Sequence, residues 1–115
     1  MELLPNERID DLQRGGLRLI QRTDGFRFGT DAVLLSDFAS PRRHDCVCDL
    51  GTGTGVIPLL LYGREPTITA DAVEIQPDMA EMASRSMTSR SLIMCHSLLL
   101  TANLKQNPSI LQINV

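Results

Sequence analysis

The segment Asp49-Leu50-Gly51-Thr52-Gly53-Thr54-Gly55 carries the strongest chemical signal in the sequence. A glycine-rich turn between a strand and a helix lets the backbone approach a ligand closely and aims helix N–H groups at it. Glu74 stands 23 residues after Gly51, at the end of the next strand-like run. An acid there can accept hydrogen bonds from both hydroxyls of a ribose. Asn103 falls just past a third such run. Ligands of open α/β sheets bind along the carboxyl ends of the strands, so these groups on successive strand ends outline an adenosine-shaped site. The glycine spacing is G-x-G-x-G, whereas the dinucleotide fingerprint G-x-G-x-x-G would put its third glycine at Val56. Asp49 would repel a pyrophosphate and attract the ammonium of a methionine moiety. The pattern therefore points away from NAD and toward S-adenosylmethionine. Taken singly, the glycines also fit a tight turn, Glu74 a solvated strand end and Asn103 a turn cap.

The elements that must hold these residues are legible around them. Cys46-Val47-Cys48-Asp49-Leu50 reads as a buried strand, and Val56 to Gly63 as a helix with Pro58 in its first turn. Thr67 to Ile75 is a second strand. Pro77 to about Ser89 is a helix with Met79, Met82, Ala83 and Ser86 on one face, and Ser97 to Ala102 is a third strand. Upstream, Leu17-Arg18-Leu19-Ile20-Gln21 and Phe26-Arg27-Phe28 flank Asp24-Gly25 and read as a hairpin, while Glu7 to Arg14 is polar with no clean apolar face. A helix follows over Gly29 to Ala39, with Thr30 as N-cap, Asp31 in the first turn and Ala32, Leu35 and Phe38 toward the core. Strands alternating with helices imply a parallel, Rossmann-like α/β sheet. Residues 1–40 are thus expected to precede the core as hairpin and helix, and residues 41–115 to form it.

Composition bounds the function classes. The 115 residues allow one domain at most, and 43% hydrophobic content argues against disorder. A net charge of −3 excludes a wholly basic nucleic-acid-binding surface but leaves room for a local patch. Arg8, Arg14, Arg18, Arg22 and Arg27 cluster upstream, where they could meet phosphates or simply face solvent. Cys46, Cys48 and Cys95 form neither a disulfide framework nor a zinc spacing, and read as buried thiols. His44 and His96 stand alone, so no metal site is expected. The N-terminal residues carry no signal-peptide pattern, and no apolar run approaches the roughly 20 residues of a membrane span. The expectation is a cytoplasmic protein without a membrane segment.

The run from Asp49 to Leu61, together with Val73-Glu74-Ile75-Gln76, resembles the class I S-adenosylmethionine-dependent methyltransferases. Arg8-Ile9-Asp10-Asp11-Leu12, Gly16-Leu17, Phe28 to Leu35 and Met82 to Ser86 narrow the resemblance to the bacterial tRNA1(Val) adenine-N6 methyltransferase family, over Glu7 to Lys105. The resemblance implies that Asp49 faces the methionine amino group, that Gly51, Gly53 and Gly55 form the loop against the cofactor, and that Glu74 holds the ribose. Asn103 stands where the family usually carries an Asp for the adenine amino group, and accepts through its carbonyl. Thr30 and Asp31 match a segment that closes over the cofactor in related enzymes. The implied partner is tRNA.

The family's adenine chemistry uses an Asn-Pro-Pro-Tyr motif after the fourth core strand, where Asn and a proline carbonyl orient the amine and the ring stacks on the base. The sequence contains no such motif; Asn107-Pro108-Ser109 lacks the second proline and the aromatic. No catalytic residue is therefore assigned. The sequence reads as a core stopping after its third strand, with an exposed strand edge, weak stability and a tendency to self-associate. The expected function is a tRNA adenine-N6 methyltransferase whose catalytic half is missing from this chain. The alternatives are a non-catalytic module binding S-adenosylmethionine or RNA, and a truncated reading frame without function.

Overall fold

The computed structural model describes residues 3–13, 15–25, 29–87, 93–97 and 111–114. The elements run β1 (Glu7–Asp11), β2 (Arg18–Arg22), α1 (Thr30–Ala39), β3 (Cys46–Leu50), α2 (Val56–Arg64), β4 (Thr69–Glu74), α3 (Pro77–Met87), β5 (Ile93–Ser97) and β6 (Leu111–Asn114). β3 to β6 form a parallel sheet in the order β5-β4-β3-β6. β3 is interior to that sheet, which explains why Val47, Cys48 and Asp49 are all buried rather than alternating. α2 is buried from Val56 to Leu61, because the sheet lies on one side and α1 on the other. Arg64 fastens the two helices: its Nη1 donates to the carbonyls of Ser36 at 2.6 Å and Asp37 at 3.0 Å, near the C-terminal end of α1.

β6 corrects the expectation that the core stops at its third strand. It pairs with β3 from Val47–Leu111 to Leu50–Asn114, so the edge of β3 expected to be open is filled. Leu111 and Ile113 alternate with Gln112 and Asn114, a period-two signal in a run too short to stand out beside the longer strands. The expected ground for self-association through the edge of β3 falls away. The third core strand also lies earlier than expected, at Ile93–Ser97, in register with Ala70–Glu74. The rest of the segment expected to form it, 98–102, lies outside the described residues.

The hairpin is built from other partners than expected. β1 pairs antiparallel with β2, from Glu7–Arg22 to Asp11–Arg18; residues 26–28 lie outside the described residues. Gly15 and Gly16, both with positive φ, help reverse the chain, and Leu12 N–H donates to Leu17 O at 2.9 Å. Glu7–Asp11 passes for coil in the sequence because Ile9 is its one apolar residue. The ribbon needs no apolar face of its own on β1, because β2 is wedged between two layers. Leu17 and Leu19 join the main core, while Ile20 packs with Met79 and Met82 of α3 and with Ile9.

Three details of the upstream region also differ from expectation. The N-cap of α1 is Gly29, in extended backbone and with no side-chain cap bond, and Thr30 is the exposed first helical residue. The buried stripe follows Ala32 and Ser36, which leaves Phe38 86% exposed and Leu34 on the same outer face. Cys46 is exposed, whereas Cys48 is fully buried and burial pushes its thiol up to about 11, so it is inert.

Candidate cofactor-binding site

The loop after β3 is pinned to the end of β4. Gly51 N–H and Thr52 N–H both donate to Val73 O, at 2.8 and 2.9 Å. Gly53 N–H donates to Glu74 Oε1 at 3.0 Å, and Gln76 N–H to Glu74 Oε2 at 2.9 Å. Glu74 is thus buried and oriented by backbone groups, with lone pairs left to accept further donors. Gly51 adopts φ +77°, and nothing lies within 4 Å of where its Cβ would stand. That gap is a direct approach to the backbone for a ligand.

Gly55 is required for a different reason. At φ +83° its Cβ would overlap Met87 Cε and come 3.4 Å from Ala83 Cβ, both on α3. The loop therefore packs directly on α3. Gly55→Ala is expected to lower stability by about 2 kcal/mol, from left-handed strain and the forced shift of the buried Met87. Chemical denaturation measures it; an unchanged midpoint would show that α3 gives way freely.

Asp49 is the electrostatic anomaly. It is 0% exposed, and neither carboxylate oxygen has a hydrogen-bond partner among the described residues; Thr52 Oγ1 and Thr54 Oγ1 beside the loop are likewise unpartnered. Burial pushes its carboxyl up to about 6. The Thr52 hydroxyl opposes the rise without reaching good hydrogen-bond geometry, and the negative charge of Glu74 adds to it. A buried anion with neither cation nor donor is costly, and a ligand bearing both would relieve it.

Gly51, Gly53 and Glu74 line one cavity of about 300 Å³ together with Arg22, Gln76 and Met79. A second cavity of about 370 Å³, lined by Leu4, Pro5, Asn6, Glu7, Arg22 and Asp24, contains none of the glycine loop. The structure therefore brings together Gly51, Gly53 and Glu74, with Asp49 buried in the strand that leads into the loop. Thr30 is not among the lining residues, and Asn103 lies outside the described residues. Three neighbours escaped the sequence reading. Ile75 follows Glu74 and is 64% exposed, an apolar surface at the carboxyl edge. Arg22 reaches the cavity from the hairpin, a contact no local spacing encodes. Asn114 ends β6 opposite Leu50, at the same edge, and the alternation preceding it was the available signal.

Among the described residues, no group of three or more His, Cys, Asp or Glu could hold a metal, and no helix is long and apolar enough to cross a membrane. Of the upstream arginines, Arg8 pairs with Asp10 and Arg22 with Asp78, Arg18 is exposed, and Arg14 and Arg27 lie outside the described residues.

Sheet order, glycine loop and strand-end acid together define the Rossmann-like fold of the class I S-adenosylmethionine-dependent methyltransferases. Solved structures agree. Precorrin-6y C5,15-methyltransferase from Geobacter metallireducens superposes with a TM-score of 0.65 at 9% identity, over 80% of this chain and 52% of that one. Pyrococcus abyssi tRNA (uracil-54, C5)-methyltransferase, in complex with S-adenosyl-L-homocysteine, gives 0.59 at 14% identity, over 80% and 24%. In sequence, about half of the chain is similar to tRNA1(Val) (adenine(37)-N6)-methyltransferases. Identity is 36% over 66 residues with the Flavobacteriaceae bacterium (strain 3519-10) protein, which covers 57% of this chain and 29% of that one. It is 43% over 60 residues with the Pedobacter heparinus protein, over 52% and 26%. The chain thus matches between a quarter and a third of the length of these two relatives. No family model matches it.

Proposed function

We propose that this chain is the S-adenosylmethionine-binding part of a cytoplasmic tRNA adenine-N6 methyltransferase. The observation that carries the reading is Asp49, a buried carboxylate without a partner among the described residues, beside an open glycine turn and an oriented Glu74. The residues present fit the cofactor. Asp49 binds the methionine ammonium, Gly51 and Gly53 leave the backbone open to it, Glu74 accepts from the ribose hydroxyls, and Ile75 offers its apolar side to the adenine. Asn103 and Thr30 are assigned supporting roles, at the adenine amino group and over the bound cofactor. The cofactor supplies a methyl group made electrophilic by a sulfonium. The chain's own contribution is orientation and exclusion of water.

The acceptor side is thinner. The relatives' names point to adenine in tRNA. Asn114, at the end of β6, is the candidate for the asparagine of the Asn-Pro-Pro-Tyr motif, but Val115 follows it in place of proline. Binding without turnover is the expected behaviour of this chain. Calorimetry should show uptake of S-adenosylmethionine and none of NADH, and a methyl-transfer assay on unmodified tRNA should show no product. Preference for NADH would overturn the cofactor assignment, and methyl transfer would overturn the account of the acceptor side. A chain that binds neither nucleotide fits a reading frame without function.

A further inference from the structure

S-Adenosylmethionine ends in a zwitterionic amino acid, and Asp49 answers only its ammonium. We propose that Arg22, on the N-terminal hairpin, receives the carboxylate of that amino acid and so selects amino-acid-bearing nucleosides over bare ones. The inference rests on the cofactor reading above and extends it to the hairpin.

Arg22 lines the same cavity as Gly51, Gly53 and Glu74, and is the one cation among its lining residues. With Asp49 and Glu74 both nearby, a carboxylate entering this cavity would meet net repulsion without a positive group. Arg22 Nη2 donates to Asp78 Oδ2 at 2.6 Å; the remaining N–H groups of the guanidinium have no hydrogen-bond acceptor among the described residues and are available as donors. Asp78 lies in the first turn of α3, so this bond ties the guanidinium to the helix whose Met79 lines the cavity. The planar fork of arginine matches a carboxylate with two parallel hydrogen bonds, which a lysine cannot reproduce.

The hairpin delivers Arg22 there through contacts of its own. Arg85 of α3 grips Glu7 of β1 with two bonds, at 2.7 and 2.6 Å, and Ile20 N–H donates to Ser86 Oγ at 2.9 Å. These bonds join residues far apart in sequence and do not involve Arg22. The guanidinium is therefore placed by a ribbon already docked on α3, and its substitution leaves that dock in place. An RNA phosphate is the competing ligand for such a group. The shared lining with the glycine loop favours the cofactor.

The test compares two ligands on the full chain. S-Adenosylhomocysteine and 5′-methylthioadenosine share nucleoside and thioether, and only the first carries the amino acid. By titration calorimetry, Arg22→Gln is expected to weaken S-adenosylhomocysteine about tenfold and to leave methylthioadenosine within about twofold. Arg22→Lys should recover part of the loss, and the thermal melts of both variants should match the parent. Equal losses for both ligands would overturn the proposal in favour of a structural role. No loss for either, with a defect confined to tRNA binding, would overturn it in favour of a phosphate contact. If the parent chain bound neither ligand, the cofactor reading itself would fall, a result distinct from both.

Discussion

Asp49→Asn is expected to stabilise the ligand-free chain and at the same time to weaken S-adenosylmethionine binding roughly a hundredfold. The two effects share one cause. The carboxylate is 0% exposed and has no partner among the described residues, and burial lifts it from 3.8 to about 6. At pH 7 the folded chain therefore holds a charge that the unfolded chain solvates more favourably, a penalty of about 3 kcal/mol. Because the folded value is raised, the stability linked to this group is fully present below about pH 4 and is lost as pH rises through about 6. An asparagine removes the charge but still buries an unsatisfied amide, so the net gain is about 1 kcal/mol. Binding moves the other way, because a neutral amide cannot neutralise an ammonium in a dry site. A loss of about 3 kcal/mol, roughly a hundredfold in Kd, is the scale for such buried charge contacts. Urea unfolding and calorimetry on the same two proteins check both signs. A variant that is both less stable and unaltered in binding would mean Asp49 has an ordinary structural role.

Arg85→Ala carries the second large effect, on the hairpin. The Glu7 side chain is only 4% exposed, and that of Arg85 20%. Because Arg85 is partly open to solvent, which screens the pair, its loss is expected to cost about 2–3 kcal/mol. Among the described residues Glu7 would keep only the hydrogen bond from Leu4 N–H at 3.0 Å, and Arg85 would no longer link Glu81 to the ribbon. Hydrogen exchange should show β1 opening before the parallel sheet does. Uniform loss of protection over both would contradict a hairpin held by its own dock. The same contact predicts acid sensitivity. Hydrogen bonds from Arg85 hold the Glu7 carboxyl below its usual 4.5, so its stabilisation is present above that value and is lost as pH falls through the lower folded one. Asp49 and Glu7 thus pull stability in opposite directions, Glu7 as pH falls below its usual 4.5 and Asp49 as pH rises through about 6.

The parts of this fold legible in sequence are those where one local pattern decides the outcome. β3, the glycine turn and α2 follow from a buried apolar run, a G-x-G-x-G turn and a second apolar run, and α3 from its one-sided spacing of Met79, Met82, Ala83 and Ser86. What escaped is decided across the chain. β1 is a strand because β2 and α3 receive it, although its own residues look like coil. Phe38 is exposed because the register of α1 on α2 is set by Ala32, Ser36 and Arg64, and no count within the helix reveals that. β6 was missed because four residues carry little signal until β3 is seen to need a neighbour. The site divides in the same way. Asp49, Gly51 and Glu74 stand at strand ends and could be read from spacing alone. Arg22 arrives from a separate ribbon, and the partnerless state of the Asp49 oxygens is a fact of burial.

The most direct test is the pH dependence of S-adenosylhomocysteine binding to this chain, followed by calorimetry between pH 5 and pH 8. If Asp49 is the counter-charge to the cofactor's ammonium, affinity is flat above about pH 6 and falls about tenfold per unit below it, with a proton released on binding near the midpoint. Binding that is absent, or that keeps the same affinity across the range, would contradict the assignment of Asp49 and with it the cofactor site.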